Sequence, residues 1–231
     1  MDDDKINELY YGQIMSEQAQ RRCRERISWI TERAAGSRVL DVGCSQGITS
    51  ILLGRQGYTC LGVDIAPPQI QYANNELSKE QPETQQRVSF RLTDVRQIQG
   101  LTFDTVILGE VLEHDEDPAS LFETVRGLLS SEGRVLITVP YGNQPSMDHK
   151  RSFYLGNLHD LISSHFYVNE LRLLNRNIVC TASSVRTAND FKFDQACARE
   201  VERVMREIEE ESQRLKARLK VVTAKKAPAV A

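Results

Sequence analysis

Two groups of residues in this chain have types and spacing suited to chemistry. The first is Asp41-Val42-Gly43-Cys44-Ser45-Gln46-Gly47, followed by acids at Asp64 and Asp94. A glycine-rich turn lets backbone approach a ligand with no Cβ in the way. A carboxylate about 20 residues further on can accept both ribose hydroxyls of an adenosine. Asp94, in Thr93-Asp94-Val95, is placed to hydrogen-bond an adenine amino group. The second group is Glu110-Val111-Leu112-Glu113-His114, with Asp148 and His149 later in the chain. An imidazole or carboxylate within hydrogen-bond reach of a hydroxyl can remove its proton. Two carboxylates and two imidazoles could also hold a divalent cation.

These side chains can cooperate only if the fold brings them to one place. Short apolar runs recur at Arg38–Val42, Thr59–Val63, Val88–Leu92, Phe103–Leu108 and Arg134–Val139. Between them, Ile48–Gln56, Pro68–Lys79 and Pro118–Leu129 suit helices. That alternation predicts an α/β fold, a parallel sheet with helices on both faces. The glycine turn then joins the first strand to the first helix. Asp64, Asp94 and Glu110–His114 follow the second, third and fourth strands, and the Pro140–Phe153 loop follows the fifth. Ligands of open α/β sheets bind beyond the C-terminal strand ends, so both groups belong to one edge. A helix at Leu155–Ser163 precedes two strand-like runs, Tyr167–Leu173 and Ile178–Thr181, which read as an antiparallel hairpin closing a sheet edge. Upstream, Ile6–Ala34 reads as helix, with Leu9, Ile14, Cys23, Ile27 and Ile30 near helical spacing and Gly36 as a stop.

In this context Asp41–Gly47 resembles the first motif of class I methyltransferases, D-x-G-x-x-x-G. Asp64 matches the acid ending their second strand, Asp94 their adenine-side acid, and Phe103–His114 their fourth-strand motif. The resemblance covers roughly Gly36 to Cys180. It implies a Rossmann-like seven-stranded sheet with an antiparallel last strand, and S-adenosyl-L-methionine as cofactor. It also implies cofactor contacts from Asp41, Gly43, Ser45, Gly47, Asp64, Ile65, Asp94, Val95 and Gly109. Ser45 departs from the family, many of whose members carry a middle glycine; only a local adjustment is expected. A dehydrogenase is the natural rival, but the fingerprint G-x-G-x-x-G fails at Ser45 and Ile48. Asp41, just before the glycines, suits a cofactor with a cationic aminoacyl group.

The acceptor is expected between Glu110–His114 and the Pro140–Phe153 loop. His149 is the preferred base, with Glu110 and His114 facing the acceptor. Glu110-x-x-Glu113-His114 with His149 resembles the metal-binding constellation of bacterial small-RNA 3′-terminal 2′-O-methyltransferases. The same spacing occurs in metal-free small-molecule enzymes resembling those of ubiquinone biosynthesis. Asp115 stands where the RNA enzymes place another histidine, so no metal is expected. Val139-Pro140-Tyr141-Gly142-Asn143 is similar to methyltransferases of bacterial surface-glycan assembly, which makes a sugar hydroxyl the leading acceptor. A cofactor-binding module without turnover is the competing class.

The chain has 231 residues and a formal net charge of −3, so nothing in its charge asks for nucleic acid or an anionic membrane. Five scattered cysteines read as reduced thiols of a cytoplasmic protein. The N-terminus lacks a signal-peptide profile, and no apolar run approaches the roughly 20 residues of a membrane span. The expected organisation is a helical segment at 1–36, a methyltransferase domain at 37–185, a charged helix or coiled coil at 186–220 and a disordered tail at 221–231. In the third segment Cys197, Val201, Val204, Ile208, Leu215 and Leu219 approach a heptad seam that would make a homodimer. Glu202–Arg206 and Glu210–Arg214 are i,i+4 pairs. Trp29, Tyr10 and Tyr11 could cover the cofactor or pack in the core.

Overall fold

A computed structural model of the chain describes residues 5–143, 149–186, 198–199, 201–203, 205–207, 209–210 and 212–216. Two helices, α1 (Ile6–Tyr10) and α2 (Glu17–Arg33), lead into β1 (Arg38–Val42), α3 (Ile48–Arg55), β2 (Thr59–Asp64), α4 (Pro67–Leu77), α5 (Pro82–Arg87) and β3 (Val88–Leu92). Then come β4 (Phe103–Gly109), α6 (Pro118–Leu128), β5 (Leu129–Pro140), α7 (Leu155–Ser163), β6 (Tyr167–Leu174) and β7 (Asn177–Ser183). They form one seven-stranded sheet in the order β3-β2-β1-β4-β5-β7-β6. Strands β1 to β5 pair in parallel, and β7 runs antiparallel between β5 and β6.

The continuous apolar runs are explained by burial on both faces. Leu40, Val106, Leu108, Val135 and Ile137 face a core completed by Leu121, Phe122 and Val125 of α6 and Leu158 and Ile162 of α7. Their neighbours Val39, Ile107, Leu136 and Val179 face the opposite layer, against Trp29 and Ile30 of α2 and Leu53 of α3.

Three local expectations are corrected. The single N-terminal helix is two helices, because Gly12 and Met15 take positive φ of 79° and 65°. Ser16 then restarts the helix by accepting from Ala19 N. A short helix, α5, was not anticipated; Pro82 suits its first turn because proline lacks an amide that would go unsatisfied there. Strand β5 also reaches back to Leu129, with a register irregularity opposite Phe103–Thr105.

All described residues from 198 to 216 are helical. Of the proposed seam, Val201 and Leu215 are 50% and 54% exposed, while Cys197, Val204, Ile208 and Leu219 lie outside the described residues, as do 221–231. Arg214 and Glu210 approach to 3.8 Å, but Glu202 and Arg206 turn toward the domain (below). Among the described residues no helix is long and apolar enough to cross a membrane.

Candidate active site

The glycine turn leaves β1 and enters α3 at Gly47, whose φ of 83° is left-handed. A Cβ there would lie 2.5 Å from Phe90 Cζ, so conformation and packing both require glycine. Ser45 is left-handed as well, at φ 47°. Its amide donates to Asp64 Oδ2 at 2.9 Å, and Asp64 Oδ1 accepts from Ala66 N at 2.9 Å. The expected local adjustment at Ser45 is therefore a non-glycine residue in αL, ordinarily costing about 1 kcal/mol, with Asp64 as its partner. Asp94 caps a short 3₁₀ turn over Val95–Gln97 by accepting from Arg96 N at 2.8 Å.

These elements enclose a cavity of about 490 Å³. Gly43, Ser45, Asp64, Ile65, Asp94, Val95, Glu110 and His114 line it, joined by Lys150 and Arg96. Ile65 is 69% exposed and forms an apolar part of the cavity wall. Among the sequence-selected residues, Asp41, Gly47, Gly109 and His149 do not line this cavity. Asp41 lies beneath it, 4% exposed, and accepts from Ser50 Oγ at 2.8 Å. Burial raises its pKa to about 6, opposed by the Ser50 hydrogen bond and reinforced by Asp64. Gly47 acts through the turn.

Two contacts at the candidate site are missing from the sequence reading. Arg26 of α2, its side chain 12% exposed, approaches Glu110 Oε2 to 3.5 Å and opposes the Asp41 shift. Asn177, from the start of β7, donates to Glu110 Oε1 at 2.5 Å. Arg26 carried a signal: it sits on the stripe Cys23, Ile27, Ile30 that α2 buries, where an unpaired charge is costly. Of the two roles left open for Trp29, the structure shows core packing. The residue is 3% exposed in the α2 core layer, with the Arg33 guanidinium 4.8 Å from its ring. Helix α1 covers the turn instead, Asn7 N donating to Gln46 Oε1 at 2.8 Å. Tyr10 packs beside the cluster of Cys23, Ile27 and Ile48, and Tyr11 is 48% exposed.

On the acceptor side, Glu110 has a φ of 58°, a second non-glycine αL residue at the site. Glu113 is buried, at 1% exposure. The His114 and His149 rings meet edge to face with centroids 4.9 Å apart. Ligand atoms of Glu113, His114 and His149 all lie within 4.8 Å of one another. Lys150 N donates to Glu113 O at 2.7 Å, and Arg151 Nη2 donates to the carbonyls of Asp115 and Glu116 at 2.9 Å each. The loop carrying His149 is thereby tied to the turn after β4. Asp115 accepts from Arg96 at 2.9 and 3.0 Å. Asp148 lies outside the described residues. The structure thus joins Glu113, His114 and His149, while the Glu110 carboxylate is held by Arg26 and Asn177.

Comparisons with known proteins follow this geometry. A family model described as "Methyltransferase domain" matches residues 15–177. A ubiquinone biosynthesis O-methyltransferase of Acinetobacter baylyi is 32% identical over 124 residues, 52% of each chain. One from Xylella fastidiosa is 33% identical over 115 residues, 49% of this chain and 46% of that one. The chain thus aligns with about half the length of the curated relatives it matches. Among solved structures, magnesium protoporphyrin IX methyltransferase from Synechocystis with bound SAH superposes with a TM-score of 0.63 at 16% identity, covering 79% of this chain and 94% of that one. The 1,6-didemethyltoxoflavin-N1-methyltransferase of Burkholderia thailandensis gives 0.63 at 20% identity, covering 79% and 86%. Glycine turn, strand-end acids, sheet order and family model agree: the chain belongs to the methyltransferase-domain family, among the class I S-adenosylmethionine-dependent methyltransferases.

Proposed function

We propose that this protein transfers the methyl group of S-adenosyl-L-methionine to a hydroxyl oxygen of a small acceptor. The observation that carries the reading is the grouping of Glu113, His114 and His149, with His114 on the wall of the cofactor cavity. Asp64, Ile65 and Asp94 would hold the adenosine, and Gly43, with Asp41 and Arg26 beneath, would receive the aminoacyl end. His114, on the cavity wall, would border the reacting methyl. The acceptor oxygen attacks the methyl carbon, the carbon–sulfur bond breaks to leave S-adenosylhomocysteine, and the hydroxyl proton passes to a His149 ring nitrogen. Alignment of the attacking oxygen supplies much of the rate, and proton removal typically adds about 10²–10⁴-fold. The curated relatives named as O-methyltransferases support a hydroxyl acceptor. A sugar hydroxyl belongs to that class, supported by the resemblance of Val139–Asn143, the His/Phe loop after it and the C-terminal helix to surface-glycan methyltransferases.

The same trio favours a second reading. One carboxylate and two imidazoles fit a borderline divalent ion such as Mn²⁺ or Zn²⁺, held by Glu113, His114 and His149. A bound ion would supply Lewis acidity for deprotonating the acceptor hydroxyl. An RNA terminus held by four ligands is less well supported, because Glu110 is occupied by Arg26 and Asn177. The deciding experiment is methyl transfer from labelled cofactor to a panel of glycans, hydroxylated metabolites and short RNAs. It is run after exhaustive chelation, with and without Mn²⁺. Label on a hydroxylated small acceptor in chelator supports the first reading. Strict Mn²⁺ dependence supports the second, and no transfer to any acceptor leaves a cofactor-binding module.

A further inference from the structure

The helical residues after 198 present one face to the catalytic domain. Glu202, Arg206 and Glu209 follow each other by four and three residues, a single stripe of a helix, and together they meet Asn143 in the acceptor-side loop and Tyr154 and Gly156 just after it. Glu202 is 6% exposed and accepts from Gly156 N, in the first turn of α7. A carboxylate there is favoured by the positive end of the helix. Glu209 accepts from Asn143 N at 3.0 Å and from Tyr154 Oη at 2.8 Å. The Arg206 guanidinium lies 4.4 Å from the centre of the Tyr154 ring, within cation–π range. Arg199 adds an ion pair with Asp160 of α7 at 3.0 Å.

The domain is shaped to receive these carboxylates. A Cβ at Gly142, which has a φ of 74°, would lie 2.5 Å from Glu209 Oε1. At Gly156 it would lie 2.8 Å from Glu202 Oε2. Two missing side chains thus make room for two glutamates. Asn143 and Tyr154 bracket the segment that carries His149. On its other side the segment is fixed by Lys150 N to Glu113 O and by Gly142 N to Phe153 O, each at 2.7 Å. Tyr154 is further locked by its amide to Asn157 Oδ1 at 2.8 Å and by its edge contact with Tyr141 at 5.6 Å.

We propose that Glu209, with Glu202 and Arg206, is a positioning residue for methyl transfer: the C-terminal helical segment is a strap that fixes both flanks of the loop carrying His149. The assignment of His149 as base rests on the function proposed above; the strap itself rests on the contacts. It gives the charged inward face of this segment a role that pairing with a second chain does not supply, while Val201 and Leu215 are about half exposed.

The test uses the full chain and three variants, Glu209→Ala, Glu209→Gln and Tyr154→Phe. Glu209→Ala should speed amide hydrogen exchange about tenfold at Asn143 and in 153–156, the scale of one lost charge-assisted hydrogen bond, with exchange of β1 and β4 unchanged. For an acceptor identified as above, kcat should fall about tenfold with cofactor Kd unaltered. Glu209→Gln, which keeps an acceptor oxygen, should recover most of both effects, and Tyr154→Phe should reproduce part of each. Unchanged exchange at Asn143 and 153–156 in Glu209→Ala would overturn the strap. So would an equal loss of protection across the whole sheet, which marks a general stability role. Should the wild-type chain transfer no methyl group, the exchange data still decide the strap, and only the function proposed above fails.

Discussion

Replacing Asp41 by asparagine should separate what this carboxylate does for folding from what it does for the cofactor. Its side chain is 4% exposed, and burial raises its pKa from 3.8 to about 6. A carboxyl whose folded pKa is raised contributes stability while protonated. That contribution is full below about pH 4 and lost as the pH climbs through about 6. At 1.36 kcal/mol per pKa unit, the loss is on the order of 3 kcal/mol at neutral pH. Asparagine has nearly the same shape and keeps an oxygen for Ser50 Oγ, but carries no charge to desolvate. Asp41→Asn should therefore be more stable than wild type by about 1–3 kcal/mol at pH 7.5, and the difference should vanish near pH 4. Cofactor affinity should move the opposite way. A cationic aminoacyl group stabilises the ionised carboxylate in the complex, and a neutral amide forfeits about 1.5–3 kcal/mol of that interaction, roughly a 10- to 150-fold rise in Kd. Urea denaturation across pH 4–8 and calorimetry with S-adenosylhomocysteine and S-adenosylmethionine measure both. A variant less stable than wild type at pH 7.5, with unchanged cofactor affinity, would refute the reasoning.

Asp64→Ala should leave ribose hydroxyls and the Ser45 amide without their acceptor. The expected cost is about 1–3 kcal/mol of cofactor affinity, and calorimetry showing wild-type affinity in the folded variant would remove Asp64 from the site. Gly47→Ala places a methyl 2.5 Å from Phe90 Cζ at a φ of 83°. It should lower stability by about 1–3 kcal/mol, and an unchanged denaturation midpoint would show that the turn can relax. Arg26→Met should raise the pKa of Asp41, since Arg26 opposes its shift. The loss of stability with rising pH should then extend to higher pH than in wild type, and coincident pH–stability curves would contradict the Arg26–Asp41 coupling.

The parts of the fold that were legible are those written locally. Strands β1, β2 and β4 are apolar runs because both sheet faces are covered, edge strand β3 is largely exposed, and each strand-end acid lies within a residue or two of its strand. Helix α7 was bounded correctly at Leu155–Ser163. Less legible was whatever depends on two distant segments meeting. Arg26 and Glu110 lie 84 positions apart, and Asn177 reaches Glu110 across 67; neither pairing has a local pattern. The break between α1 and α2 was hidden because Leu9 and Ile14 kept helical spacing through Gly12. For Trp29, residue type left the cofactor and the core both open, and its helix face commits it to the core. At the C-terminal segment, the heptad reading weighed apolar positions and passed over the charged stripe Glu202, Arg206, Glu209 that meets the domain.

The central claim, that His149 takes the acceptor proton while the cofactor sits apart along Asp64 and Asp94, is tested most directly by one comparison. Methyl transfer to the identified hydroxyl acceptor and cofactor affinity are measured on the same preparations of wild type and His149→Ala. The account predicts kcat reduced by about 10²–10⁴-fold, with cofactor Kd within a factor of two of wild type. Wild-type turnover in His149→Ala would contradict it.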